Sequence, residues 1–414
     1  MKKFLALTLA LVMSLSLVAC GDKKTDDTKT DAPDQTEQPA ENEGAYKVAM
    51  ITDYGDITDQ SFNQTTYEAC KAFAEDNSIE FSYFKPAGDN TADRVAMIEK
   101  AVNDGFNVIV MPGYAFGGAI VEAAPEFPDV KFIALDVAAG DLLETAVAKA
   151  GEAYDYTPEN WDLNKYVDMS NVYCAVYQEE LCGYMAGYAA VKLGYKNLGF
   201  LGGMSVPAVV RYGYGFVQGV DAAAADLGLT DVKLNYIYGG QFFGDADITA
   251  VMDTWYQGGT EVVFACGGGI YTSAVDAAKK VEGKVVGVDV DQAGVIAKYA
   301  GVDGMTVTSA MKGLYPATYD TLTDVIVNGN WDKYVGKIAT LGLVSGTDPE
   351  ANYVQIPMGD GTQWSDSFTQ DDYKAMVKDM FDGKITVSNN TSSDVSAADF
   401  ATVITVDDQG SIKG

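Results

Sequence analysis

From residue 46 onward, short apolar runs alternate with longer stretches in which apolar and polar positions recur at helical spacing. The runs at 46–52, 107–111, 130–136, 197–202, 232–238, 261–265 and 284–289 predict strands. Several are apolar almost throughout (Val-Ile-Val-Met, Val-Val-Phe-Ala), the mark of strands buried on both faces. The stretches at 92–103, 209–227, 248–256 and 273–281 predict amphipathic helices between them. Strand and helix in alternation imply parallel sheets built from right-handed βαβ units. One set lies before about residue 170 and another after it. The 370 residues beyond Gly44 are too many for one compact core and suit two doubly wound α/β lobes. Farther on, 314–327 reads as a helix, 334–344 as a crossing strand, 371–381 as another helix and 387–396 as a surface loop.

The N-terminus follows a different pattern. A basic start (Lys2, Lys3), an apolar run from Phe4 to Val18 and small residues before Cys20 make a secretory signal peptide. At about fifteen residues the run is shorter than the roughly twenty a membrane-spanning helix needs. The end of the run resembles a bacterial lipobox, with cleavage before Cys20 and a lipid on its thiol. Residues 21–44 carry almost no apolar side chain except alanine, so they cannot offset the entropy of ordering and are expected to stay disordered. As a flexible tether from Cys20 this segment would span about 25–30 Å. The expected location is the outer face of the cell membrane.

Charge and missing residue types narrow the chemistry. The formal charge is −31, from 28 basic and 59 acidic residues. Such a chain is repelled by phosphate backbones, which excludes nucleic-acid polymers as partners. There is no histidine, which removes histidine-based triads and the commonest metal ligand. Cys70, Cys174, Cys182 and Cys266 lack CxxC spacing and read as small buried apolar residues before disulfides or metal ligands. No metal or cofactor is expected.

In doubly wound folds, ligands bind outside the carboxyl ends of the strands. The sequence concentrates polar and aromatic residues there: DYGDITDQSFNQ at 53–64, GGMSVP at 202–207 running into RYGYGF at 211–216, FACGGG at 264–269, VGVDVDQ at 286–292 and TVTSAMKG at 306–313. Asp59 or Ser61 is suited to cap the following helix, which leaves Phe62 and Asn63 in its first turn, turned towards the inter-lobe side. The glycines permit close backbone approach, which a tight strand-to-helix turn needs equally.

In family order across about residues 46–313, these motifs resemble the basic membrane protein family of bacterial lipoproteins, the PnrA-like nucleoside-binding components of ABC transporters. The resemblance rests on Asp53 to Gln64, Gly202 to Pro207 with Arg211 to Phe216, Gly287 to Gln292 and Thr308 to Lys312. It implies a type I periplasmic-binding fold, two lobes joined by a three-stranded hinge. The first lobe is expected at 45–170 with 308–335 and the second at 171–307 with 336–414. The resemblance further implies a base held between Phe62 and Tyr212 and ribose hydroxyls gripped by Asp289. Asp53, Asn63, Asp136, Gly267 and Lys312 match other pocket positions. The implied protein is a monomer that captures a nucleoside, most readily a purine type, and delivers it to an ABC permease.

The physics of the residues agrees with that assignment. Stacking a base on an aromatic side chain contributes about 1–3 kcal/mol, and a carboxylate offers two acceptor oxygens to vicinal hydroxyls. An acidic pocket disfavours phosphate, so nucleosides fit better than nucleotides. Two departures stand out: Tyr212 replaces a common phenylalanine, and the 266–271 loop lacks the family's small-residue pattern. The acidic, tyrosine-bearing stretch 137–169 has no motif to explain it. A sugar or small signalling molecule as ligand stays open. A carboxylate-based nucleoside hydrolase is the alternative of another class, although the adjacent double aspartate of calcium-dependent nucleoside hydrolases is missing.

Overall fold

Thirteen strands form two sheets among the described residues, which in this computed structural model are 45–413. The predicted signal peptide (1–19), the expected tether (20–44) and the expected lipid site Cys20 lie outside the described residues. The strands are β1 (Lys47–Ile51), β2 (Glu80–Phe84), β3 (Val108–Pro112), β4 (Lys131–Leu135), β5 (Val172–Tyr177), β6 (Asn197–Gly202) and β7 (Lys233–Tyr238). They continue with β8 (Val262–Cys266), β9 (Lys284–Asp289), β10 (Thr306–Lys312), β11 (Lys337–Leu341), β12 (Val354–Gln355) and β13 (Thr405–Ser411).

The first sheet runs β11-β5-β4-β3-β1-β2 and the second β12-β10-β9-β8-β6-β7-β13. Every pairing is parallel except β10 with β12. Within each, the order 2-1-3-4-5 repeats, so the strand order reverses beside β1 and β3 in one sheet and beside β6 and β8 in the other. Loops diverge at such switch points and leave a crevice at the strands' carboxyl ends. The loops carrying Asp53 and Gly267 start there.

The pairings correct the expected lobe boundaries. β5 bonds to β4 and β11, so residues 172–177 belong to the first sheet, although the change had been expected at 170. β10 pairs with β9, which moves 308–312 into the second lobe. β11 pairs with β5, which moves 337–341 into the first. The chain therefore crosses after Tyr177, after Lys312 and after Leu341. A short apolar run does not record which sheet it joins, because that is decided by hydrogen bonds to strands distant in sequence. The helix Leu314–Leu322 packs back on the first lobe, with Tyr319 against Phe73 at 5.9 Å. The helix Gln370–Phe381 buries Tyr373, Met376 and Met380 in the second.

Residues 137–169, left open by the sequence, form the helix Ala139–Lys149 and a knot of Tyr154, Tyr156, Trp161 and Tyr166, with ring centroids 5.2–5.7 Å apart. All four body cysteines are buried and free.

One helix pair places half of the cleft. Glu179–Lys192 and Pro207–Leu227 lie against each other along glycines on both sides. A methyl group on Gly187 would stand 2.3 Å from the Phe216 carbonyl oxygen, and one on Gly219 2.1 Å from that of Tyr184. The contact is backbone to backbone, so no side chain can yield. It fixes the start of the first helix (Glu179) beside Arg211 and Tyr212 of the second.

Gly219→Ala is therefore expected to destabilise by about 1–3 kcal/mol or more, as overpacking does. Gly294→Ala is the control: it lies in the helix Ala293–Ala300 with nothing within 4 Å of the added carbon, and alanine there is expected to be neutral or slightly stabilising. Equal melting temperatures for Gly219→Ala and the parent protein would remove the close-approach account.

Candidate functional site

In the loop after β1, the Asp53 carboxylate accepts from the backbone N–H groups of Tyr54 (2.6 Å) and Gly55 (2.7 Å) and from Asn63 Nδ2 (3.2 Å). Burial raises its pKa, and these donors oppose the rise. Asp59 accepts from the N–H groups of Ser61, Asn63 and Gln64 at 2.9–3.1 Å. Asp59 thus caps the helix Phe62–Asn77, and Ser61 makes no capping bond. The Ser61 hydroxyl is left to donate across the cleft to Asp289 Oδ2. Asn63 spends its amide N–H groups on Asp53 and Asp59, while its buried Oδ1 has no hydrogen-bond partner.

Two further carboxylates end strands of opposite sheets. Asp136 follows β4 and Asp289 closes β9, and both have left-handed backbones, with φ of 60° and 65°. Aspartate is among the few non-glycine residues that tolerate this conformation. A left-handed residue at a strand's end turns the chain sharply, so its carboxylate is presented at the mouth of the sheet. Gly113 (φ 124°) and Gly267 (φ 146°) make the equivalent turns after β3 and β8.

Lys312, at the end of β10, joins these groups. Its ammonium pairs with Asp136 Oδ2 and stands 3.6 Å from Asp289 Oδ1 and 3.6 Å from Glu179 Oε1. Arg211 donates through Nε to Glu179 Oε2 at 2.7 Å, and the Tyr212 hydroxyl donates to Asp289 Oδ1 at 3.2 Å. Burial opposes the charge on Lys312, but Asp136, Asp289 and Glu179 outweigh it and hold the ammonium above its ordinary pKa. For Asp136 burial wins: its carboxyl is pushed up to about 6, with Lys312 pulling the other way. Asp136 Oδ1 is buried without a hydrogen-bond partner. The ammonium also lies 4.6 Å from the ring centre of Phe62 and 5.6 Å from that of Tyr212, one ring from each lobe.

All eight residues singled out in the sequence (Asp53, Phe62, Asn63, Asp136, Tyr212, Gly267, Asp289 and Lys312) line one cleft of about 410 Å³ between the two sheets, within the size range of small-molecule sites. No residue of 137–169 lines it. The sequence reading missed Glu179, which is wholly buried; its signal was an acidic pair inside an otherwise apolar stretch. It also missed Ser61 as a partner of Asp289, the Tyr54 and Tyr114 side chains of the first lobe, and Phe242 and Phe243 of the second. The Phe-Phe pair between glycines after β7 was a readable signal.

A profile of the Bmp family, described as ABC transporter substrate-binding protein PnrA-like, matches residues 46–348. The chain is 24% identical over 401 residues to the ABC transporter nucleoside-binding protein BmpA of Lactococcus lactis subsp. cremoris (strain MG1363), covering 94% of this chain and 99% of that one. An uncharacterized lipoprotein of Pyrococcus abyssi (strain GE5 / Orsay) is 26% identical over 353 residues, covering 82% and 74%. A solved ABC transporter solute-binding protein from Aeropyrum pernix K1 superposes with a TM-score of 0.59 at 19% identity, covering 84% and 88%. The fold is the two-lobed type I periplasmic-binding fold.

The Asp136 environment makes a signed prediction. A carboxyl whose folded pKa is raised from 3.8 to about 6 contributes most stability below about pH 4, and that contribution is lost as pH rises through 6. The stability of the parent protein relative to Asp136→Asn should therefore fall between pH 4 and 7. Thermal melts of both proteins across that range test it; a relative stability that grows with pH, as for an ordinary salt bridge, would contradict the assignment.

Proposed function

The chain belongs to the PnrA-like family of ABC transporter substrate-binding proteins, and from that premise we propose that it captures a nucleoside, of purine type, between its lobes. As a solute-binding component of such a transporter, not an enzyme, it serves a membrane permease. The observation that carries the nucleoside reading is the meeting of two aromatic rings and a carboxylate in one cleft: Phe62 from the first lobe, Tyr212 and Asp289 from the second. The naming of the Lactococcus relative as nucleoside-binding supports it.

On this reading the heterocycle stacks against Phe62 and Tyr212, each base–ring contact worth about 1–3 kcal/mol. Asp289 accepts from the ribose hydroxyls. Its oxygens already take hydrogen bonds from Ser61 and Tyr212, which fix its orientation and leave lone-pair sites, since a carboxylate has about four. The buried acceptors Asn63 Oδ1 and Asp136 Oδ1 suit N–H or O–H donors of the ligand, because a buried polar atom without a partner is costly. Three carboxylates (Asp136, Glu179, Asp289) face two cations (Lys312, Arg211) in the central cluster, with Asp53 and Asp59 nearby. That balance favours an uncharged ligand over a phosphorylated one. Contacts from both lobes to one ligand favour the closed arrangement. A lipid on Cys20 would hold the body at the outer face of the membrane beside its permease, as a monomer.

A thermal-shift panel of nucleosides, free bases, nucleotides and sugars tests the reading. A nucleoside at a hundredfold its Kd should add about 2.7 kcal/mol of stability. Asp289→Ala should abolish that shift. Tyr212→Phe should keep the stacking and lose only the hydroxyl that orients Asp289. A shift with sugars and none with nucleosides would overturn the nucleoside assignment in favour of a sugar.

A further inference from the structure

Arginine is seldom fully buried unless its charge is paired. Arg94, near the start of the helix Thr91–Asn103, is 3% exposed. Its ion-pair partner Asp89 keeps half of its own side chain in water, so that pair alone does not require a buried guanidinium. The side chain instead runs inward to meet three loops at the carboxyl ends of the first sheet's strands. Nε donates to the Asp53 carbonyl at 3.2 Å, in the loop after β1. Nη2 pairs with Asp89, in the loop after β2. Cζ stands 5.9 Å from the ring centre of Phe116, in the turn after β3.

These loops are neighbours, because β1 lies between β2 and β3 in the sheet. Each supplies residues to the cleft wall: Asp53 and Tyr54 from the first, Lys85 from the second, Gly113 and Tyr114 from the third. Arg94 itself does not line the cleft. Asp53 shows what the guanidinium controls. Its Oδ1 takes the bonds from Tyr54, Gly55 and Asn63, and a methyl on Gly113 would stand 3.2 Å from its Oδ2. The side chain is thus held by its own turn, and the main chain by Arg94. A planar guanidinium serves two acceptors in fixed directions, which a lysine ammonium does not reproduce.

We infer that Arg94 is a positioning residue for ligand recognition, a buried clamp that sets the Asp53 loop against its two neighbours. The inference rests on the nucleoside reading above and extends it to a residue that does not touch the ligand. Loops clamped in this way lose little freedom when the ligand arrives, so less of the binding energy is spent on ordering them.

The test is calorimetric titration of the parent protein and its variants with inosine, adenosine, guanosine, uridine and cytidine. Arg94→Met is expected to weaken the tightest-binding nucleoside about tenfold or more, as loss of a charge-assisted hydrogen bond does. Arg94→Lys keeps the charge without the fork and should stay about threefold or more weaker than the parent. Asp89→Ala removes an exposed anchor, so it should weaken binding about threefold and leave the melting temperature without ligand unchanged. Arg94→Met is also made in Asp53→Asn, which keeps an acceptor for the turn but lacks the charge. Acting through Asp53, it should cost less than about threefold there, whereas a purely architectural role costs the same factor in both backgrounds. If the parent protein binds a nucleoside and Arg94→Met binds it within about twofold, the positioning role falls while the function stands. Equal factors in the two backgrounds, or parent-like binding by Arg94→Lys, also remove it. If Arg94→Met does not fold, Asp89→Ala decides, and undiminished binding by that variant overturns the inference. A parent protein that binds none of the five removes the nucleoside reading and this inference with it.

Discussion

A buried ammonium among three carboxylates sets the geometry on which the rest of the cleft depends. Lys312 ends β10 where the chain leaves the second sheet, and Glu179 stands just past β5 where it leaves the first. Asp136 and Asp289 end strands of opposite sheets. The cluster therefore ties both lobes and two of the three crossings to one point. Removing one partner from a buried pair typically costs about 3–5 kcal/mol, because the remaining charge is stranded away from water. Each of these groups is thus held in place by its partners' need for it. Arg211 extends the same constraint into the long helix that carries Tyr212.

Backbone conformation makes that arrangement reachable. Asp136 and Asp289 turn left-handed at the carboxyl ends of their strands, so each carboxylate is brought to Lys312 there. Glycines do the complementary work where two backbones must touch. Along Glu179–Lys192 and Pro207–Leu227 they bring the helices close enough for Glu179 to reach Arg211. The polar floor and the aromatic sides of the cleft therefore have separate supports: ion pairing at the crossings for the first, and glycine-permitted close packing for the second.

This division suits a binding protein that must close on a ligand and open again. Besides the buried ion pair of Lys312 with Asp136, the bonds that span the cleft include Ser61 to Asp289 and Gln292 to the Gln60 carbonyl. Polar contacts of this kind exchange readily with ligand hydroxyls or water, whereas an apolar seam between the lobes would resist opening. A ligand that contacts both sides shifts such an equilibrium by the difference in its affinity for the open and closed forms.

Much of this was legible in the residues. Buried parallel strands announce themselves as apolar runs, and amphipathic helices by their period, so the alternation, the two lobes and the loops that carry chemistry could be read directly. Seven of the eight singled-out positions lie in those loops or at their borders, where chain order alone puts the carboxyl ends of strands, and Tyr212 lies in the second turn of the helix Pro207–Leu227. Other features left no such mark. The helix Glu179–Lys192 is apolar on nearly every side, so it has no period to detect. β13 is a polar edge strand that reads as a loop. Glu179 looks like a surface acid until the fold buries it. Local pattern records the environment each residue needs, and that was enough for fold class and for eight of the cleft residues. Which sheet β5, β10 and β11 join and which acids pair with Lys312 depend on groups brought together from distant parts of the chain. Those were decided only when the tertiary structure removed water from around the charges and left each one a single way to be satisfied.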